Sequence, residues 1–251
     1  MVVYIASVGH SGSTLLAMLL GAHSKIFGIG ELSEFKSVNR CSCKKLIKYC
    51  SVWKTLFPIF PKIGFRRNKL CSDKKTFKYY AKVYARIMET VDCDVIVDSS
   101  KDVDSLKLLL KNDFDVLGVH LVRDGRGVLN SWIKKGGGVE TSTRKWCRIN
   151  EELNALRRLD NRIILVRYED LVNEPYKVLN FILDKVSLKY EESMLRVKSC
   201  SHHFIGGNRM RDIGSEELKL DLSWRTNLSL EDKLCFLKIA GFMNESYGYA
   251  R

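Results

Sequence analysis

Val2-Val3-Tyr4-Ile5-Ala6-Ser7-Val8-Gly9-His10-Ser11-Gly12-Ser13-Thr14-Leu15-Leu16-Ala17-Met18-Leu19-Leu20 is the stretch that decides the fold. The apolar run 2–6 reads as a buried strand and 15–20 as a buried helix, with glycines and hydroxyls gathered in the turn between them. Such a turn is an anion site, because successive backbone N–H groups form a nest at the positive end of the helix dipole. A loop built for a nucleoside triphosphate ends Gly-Lys-Ser/Thr, with the lysine on the β and γ phosphates. Here Ser13 follows Gly12. The loop suits a doubly anionic group and lacks the usual partner of a triphosphate tail.

Further along, Val119-His120-Leu121-Val122-Arg123-Asp124-Gly125-Arg126-Gly127-Val128-Leu129-Asn130-Ser131-Trp132 is a second apolar strand turning into a helix. Arg123 ends the strand and Ser131 lies eight residues on, so a planar guanidinium and a hydroxyl can meet at one phosphate. The two motifs, in this order, resemble the 5′-phosphosulfate loop and the 3′-phosphate motif of sulfotransferases that use 3′-phosphoadenosine 5′-phosphosulfate (PAPS). The resemblance implies cofactor contacts from His10, Ser11, Gly12, Ser13, Thr14, Arg123 and Ser131.

Other segments extend it. Gly30-Glu31 resembles the Gly-Glu of tyrosylprotein and bacterial sulfotransferases, which implies that Glu31 is the catalytic base. Asp98-Ser99-Ser100-Lys101 resembles a strand end of bacterial members, whose lysine implies a contact between Lys101 and the sulfonate. Arg167-Tyr168-Glu169-Asp170-Leu171 resembles the strand end whose tyrosine lies near the adenine. Gly206-Gly207-Asn208-Arg209-Met210-Arg211 and Asp221-Leu222-Ser223-Trp224-Arg225 resemble the C-terminal loop, which adds Asn208 and Arg209 to the cofactor contacts. Many relatives carry lysine or arginine where this chain has His10. Either His10 neutralises the leaving oxygen, as a cation or a neutral donor, or Lys101 takes that role.

The chain of 251 residues is 45% hydrophobic, enough for one large α/β core, so a single domain over 1–251 is expected, with a helical, cysteine-containing insertion at 39–93. Strands are expected at 2–7, 94–97, 116–122 and 163–167, each followed by a helical pattern. That alternation predicts a parallel sheet flanked by helices, and the resemblance implies the P-loop nucleotide-enzyme variant of it. Helical patterns recur at 176–186 and 230–243. Within 76–91, Phe77, Tyr80, Tyr84, Ile87, Met88 and Val91 share one stripe and read as core. Lys134-Lys135-Gly136-Gly137-Gly138 reads as a linker or a gate.

The formal net charge of +13, from 42 Lys+Arg against 29 Asp+Glu, favours anionic partners without choosing among them. A P-loop kinase would need a lysine at Ser13 or a substitute such as Lys101; a basic nucleic-acid-binding domain would need its cations grouped on one element. Neither matches as well as sulfuryl transfer to a hydroxyl-bearing acceptor, whether carbohydrate, peptide tyrosine or small molecule, and no nucleic acid partner is expected. No stretch reaches the apolar length of a membrane span and the first strand begins at once, which predicts a cytoplasmic protein, or a Golgi-lumen one had an N-terminal anchor been removed. Cys41, Cys43, Cys50 and Cys71 are bunched in a run resembling an insert of bacterial sulfotransferases. Cys-x-Cys is not the usual zinc pair and no histidine is near in sequence, so packed thiols or a disulfide are expected and no metal. Cys93, Cys147, Cys200 and Cys235 read as core residues.

Overall fold

Alternation along Val2–Ser7 (β1) sends Val2, Tyr4 and Ala6 into one apolar layer and Val3 and Ile5 into the other. A strand covered on both faces has little place for polar side chains, and every residue of β1 is buried. It sits at the centre of a five-stranded parallel sheet of order β2-β3-β1-β4-β5, with β2 Ile26–Gly30, β3 Val95–Lys101, β4 Val116–Val122 and β5 Ile163–Arg167. The computed structural model describes residues 1–35, 38–56, 74–196, 202–207 and 218–250.

The first layer packs against α4 (Val103–Lys111) and α6 (Val139–Leu159), and the 39–93 segment adds α2 (Trp53–Leu56) and α3 (Lys74–Val91). Tyr80, Tyr84 and Ile87 of the aromatic stripe are buried there, as the periodicity predicts. The second layer packs against α1 (Ser13–Leu20), α7 (Tyr168–Asn173) and α8 (Pro175–Lys185). A third cluster joins α5 (Gly125–Ile133) and α6 to α9 (Trp224–Asn227) and α10 (Leu230–Ser246), around Trp146 and Phe236. Among the described residues, no helix is long and apolar enough to cross a membrane.

One expectation changes. The sequence predicts four strands, yet Ile26-Phe27-Gly28-Ile29-Gly30 forms a fifth at the sheet edge. Its glycines look like a turn but are demanded by packing: a Cβ on Gly28 would lie 2.4 Å from the Phe204 ring, and one on Gly30 2.3 Å from the Ile205 carbonyl. Cys93 and Cys147 are half-buried and pack against the edge of the core, Cys235 is half-buried, and Cys71 and Cys200 lie outside the described residues.

The strand order fixes where a ligand can enter. From β1 the chain crosses to the β2 and β3 side, whereas from β4 it crosses to β5, so the crevice between the carboxyl ends of β1 and β4 is the topological switch point. The loops leaving those two strands are 8–12 and 123–124.

Candidate functional site

The loop after β1 is shaped by two left-handed residues, His10 at φ 71° and Gly12 at φ 93°. Gly12 caps α1 without a side-chain hydrogen bond, which leaves the first N–H groups of that buried helix facing the crevice. Gly12 also meets a steric demand, since a Cβ there would come within 2.5 Å of the Tyr168 ring. The buried hydroxyl of Ser11 has no hydrogen-bond partner among the described residues. An orphaned donor inside a nest of backbone amides fits an incoming phosphate or sulfonate oxygen. Ser13 and Thr14 are buried in the first turn of α1.

Arg123, at the end of β4, lies against this loop. Its guanidinium donates to the His10 carbonyl at 3.1 Å, stands 4.5 Å from the centre of the Tyr168 ring and passes so close to Gly127 that a Cβ would sit 2.9 Å from Nε. Tyr168 therefore packs between Gly12 and Arg123, where it holds both in place. The remaining edge of the guanidinium reaches Asp221, at 2.9 Å to the carboxylate and 3.0 Å to the carbonyl. Despite burial, hydrogen bonds from Ser223 and Arg123 and the arginine charge hold the Asp221 carboxyl down at about 2. The Ser131 hydroxyl donates to the Gly127 carbonyl at 3.0 Å, one turn back along α5, so its proton must rotate away from that carbonyl before it can be given to a phosphate. Asp124 is structural: it caps α5 by accepting from the Arg126 N–H and clasps the Arg126 guanidinium at 2.8 Å.

Glu31 and Lys101 are brought together from the two strands on the other side of β1. Each stands just after a bulge. Between Gly28 and Gly30 of β2 only one step of β3 is taken, and between Asp98 and Lys101 of β3 only two residues of β1 are passed, so each strand carries an extra residue just before its candidate side chain. A bulge re-aims the next side chains along its strand, and Lys101 itself is left-handed at φ 67°. The Lys101 ammonium is ion-paired to the Glu31 carboxylate, and the two side chains are 20% and 12% exposed, open enough to meet a ligand. Glu31 is fixed through its backbone, whose N–H donates to the Ile205 carbonyl at 2.6 Å.

Behind this pair lies Asp98, fully buried, accepting from the Tyr84 hydroxyl at 2.7 Å and from the Ser100 N–H at 2.8 Å. Burial pushes its carboxyl up to about 6 against the lowering effect of those bonds. The Ser100 hydroxyl donates to Asp98 and accepts the N–H of Ser33 at 3.1 Å, so α3, β3 and the turn after Glu31 are tied in one chain of bonds.

His10 is not a cation at neutral pH. Burial, then the charges of Lys135, Lys101 and Arg123, push it down to about 4. Its Nε2 lies 3.1 Å from the Lys135 Nζ, which can only donate, so the ring proton sits on Nδ1. Sequence reasoning missed Lys135 as a site residue. The signal was a lysine pair beside a glycine run just beyond the Arg123 motif, in a chain lacking the cation before Ser11. A cavity of about 290 Å³, lined by Trp132, Lys135, Gly137, Thr141, Ser142 and Lys145, opens beside it and does not include Glu31 or Lys101. Asn208 and Arg209 lie outside the described residues.

All five strand ends thus contribute to one crevice: the anion loop, Glu31, Lys101, Arg123 and Tyr168. Solved structures share this architecture. The sulfotransferase domain from the Synechococcus PCC 7002 olefin synthase matches with a TM-score of 0.64 at 22% identity, over 100% of this chain and 95% of that one. The sulfotransferase domain from the curacin biosynthetic pathway matches at 0.59 and 20%, over 96% of each chain. Mouse sulfotransferase SULT7A1, complexed with PAP, matches at 0.55 and 10%, over 98% of this chain and 88% of that one. No curated protein matched significantly. The model of the sulfotransferase family matches residues 3–192, which contain every one of those strand-end groups, and the chain belongs to that family.

Proposed function

We propose that this enzyme moves the sulfuryl group of PAPS to an acceptor hydroxyl, with Glu31 as the base. The observation that carries the reading is the Glu31–Lys101 pair at the mouth of a phosphate-type loop that has no lysine of its own. The Ser11 hydroxyl and the N–H groups opening α1 would hold the 5′-phosphosulfate, while Arg123 and Ser131 would hold the 3′-phosphate. For that, the Asp221 carboxylate must yield its edge of the Arg123 guanidinium.

Lys101 has three N–H donors and gives one to Glu31, so the others are available to the sulfonate oxygens. As the acceptor oxygen forms its bond to sulfur, its proton passes to Glu31, and the bond from sulfur to the bridging phosphate oxygen breaks with its electron pair going to the departing nucleotide. Protonation of Glu31 removes its pull on Lys101. The ammonium is then freed toward the charge developing on the sulfonate, at the moment when a preorganised cation counts most. Neutral His10 and its partner Lys135 would act at the bridging oxygen, with Lys135 supplying the charge that His10 lacks.

The test is transfer of ³⁵S from labelled PAPS to a panel of saccharides, tyrosine peptides and phenols, with [γ-³²P]ATP run in parallel. Label moving from PAPS to a hydroxyl supports the reading; transfer from ATP alone would replace it with a kinase.

A further inference from the structure

Cys41, Cys43 and Cys50 belong to one knuckle of the insertion. The turn is closed by Cys41 N–H to the Lys45 carbonyl at 3.0 Å and Lys44 N–H to the Cys41 carbonyl at 2.9 Å, with Lys44 left-handed at φ 67°. A short 3₁₀ turn at Ile47–Tyr49 then brings Cys50 back beneath it. The fourth member arrives from far along the chain. His203 turns Nδ1 to within 3.2 Å of the Cys50 sulfur and 3.7 Å of the Cys41 sulfur, and the Cys43 and Cys50 sulfurs are 3.8 Å apart. All four ligand atoms lie within 4.8 Å of one another.

Those separations have a chemical meaning. Four ligands around a tetrahedral Zn²⁺, at about 2.3 Å to sulfur and about 2.0 Å to nitrogen, stand roughly 3.5–3.8 Å from each other. A disulfide would need its sulfurs at about 2.05 Å and would leave the third thiol and the imidazole without purpose. Three soft thiolates and one imidazole select zinc over oxygen-seeking ions. We propose that Cys41, Cys43, Cys50 and His203 bind a structural zinc ion.

The protein around the cluster already has the form of a clasp. Ser42 donates its hydroxyl to the His202 carbonyl at 2.7 Å and accepts the Phe204 N–H at 2.8 Å, its own N–H reaches the Phe204 carbonyl at 3.1 Å, and the Trp53 indole donates to the His203 carbonyl at 2.7 Å. Four hydrogen bonds thus align residues 202–204 with the knuckle, and the metal would lock that alignment. Two residues beyond His203, Ile205 bonds to both Ile29 and Glu31 through its backbone. The zinc would therefore fasten the segment that holds the Glu31 backbone, at the end of the sheet away from Arg123. Its effect on turnover rests on Glu31 being the base; its presence does not.

The direct test is elemental analysis of the full chain expressed with zinc in the medium and purified without chelator. One zinc per chain is expected, falling to a small fraction in Cys50→Ser and His203→Ala, with retention of the metal in His203→Cys. Should those variants fail to fold, Co²⁺ substitution into the wild-type protein decides the matter. Intense visible bands of tetrahedral cobalt with a near-ultraviolet thiolate charge-transfer band are expected. Zinc removal should also lower turnover at least tenfold, because the clasp supports the strand end that carries Glu31. Metal-free protein with reduced thiols, a Cys43–Cys50 disulfide in unreduced peptide maps, or octahedral cobalt would overturn the proposal.

Discussion

In the proposed mechanism, the paired charges of Glu31 and Lys101 carry the chemistry, and each side chain can be tested by its own substitution. Glu31→Gln keeps the shape of the side chain and loses its basicity. Turnover should fall roughly a hundredfold to ten-thousandfold, with affinity for PAP unchanged. Lys101→Ala should cost on the order of a hundredfold in turnover and much less in nucleotide affinity, because its charge is used on the sulfonate. Turnover that survives Lys101→Ala would move its charge to Lys135, and turnover that survives Glu31→Gln would show that Glu31 is not the base. Asp221 acts in the opposite sense. Its carboxylate competes for the Arg123 fork, so Asp221→Asn should tighten PAP binding several-fold in a calorimetric titration. A modest gain is expected because the carboxylate is nearly half exposed, which weakens the pair that must be broken. Weaker binding would mean that Asp221 orients Arg123 rather than blocking it.

At the level of strands and helices, the anion loop was legible because its chemistry is local: glycine, hydroxyls and flanking apolar runs lie within twenty residues. The same holds for β4 and the start of α5. What could not be read was set by contacts distant in sequence. Ile26–Gly30 has the glycines of a turn, and only the Phe204-Ile205 segment laid across it explains why they are needed in a strand. Four strand ends could be placed from the sequence, and the missed β2 supplies the fifth, so Glu31 acquires its position only once that edge strand is known. His203 lies 153 residues from Cys50, beyond any spacing rule for metal ligands. Asp98 is a further case, since its motif was legible and its burial beneath Tyr84 was not. That burial gives a pH signature. The native carboxyl titrates near 6 and the unfolded one near 3.8, so the native state binds the proton more tightly. Stability from this group is complete below 3.8, is lost as pH rises through 6, and amounts to on the order of 3 kcal/mol. Asparagine has no such titration. In urea unfolding, Asp98→Asn should gain stability relative to wild type as pH is raised from 4 to 6 and hold that gain above 6. A stability difference that does not change with pH would show that Asp98 is not strained by its burial.

For the molecule as a whole, the central question is which nucleotide the crevice accepts. The excess of positive charge attracts any polyanion and cannot discriminate. In the proposed reading the discrimination comes from the switch point, where the loop after β1 would offer amides and the Ser11 hydroxyl to a 5′-group, and β4 would offer Arg123 to a 3′-group. On that reading a nucleotide that carries both phosphates would engage both strand ends, whereas 5′-AMP would engage one. The most direct measurement is therefore calorimetric titration of the wild-type protein and of Arg123→Ala with 3′,5′-adenosine bisphosphate and with 5′-AMP. The bisphosphate should bind the wild type at least tenfold more tightly than 5′-AMP, and Arg123→Ala should abolish most of that preference while leaving 5′-AMP affinity nearly unchanged. Equal affinity of the wild type for the two nucleotides would contradict the assignment of this crevice to a PAPS-type donor.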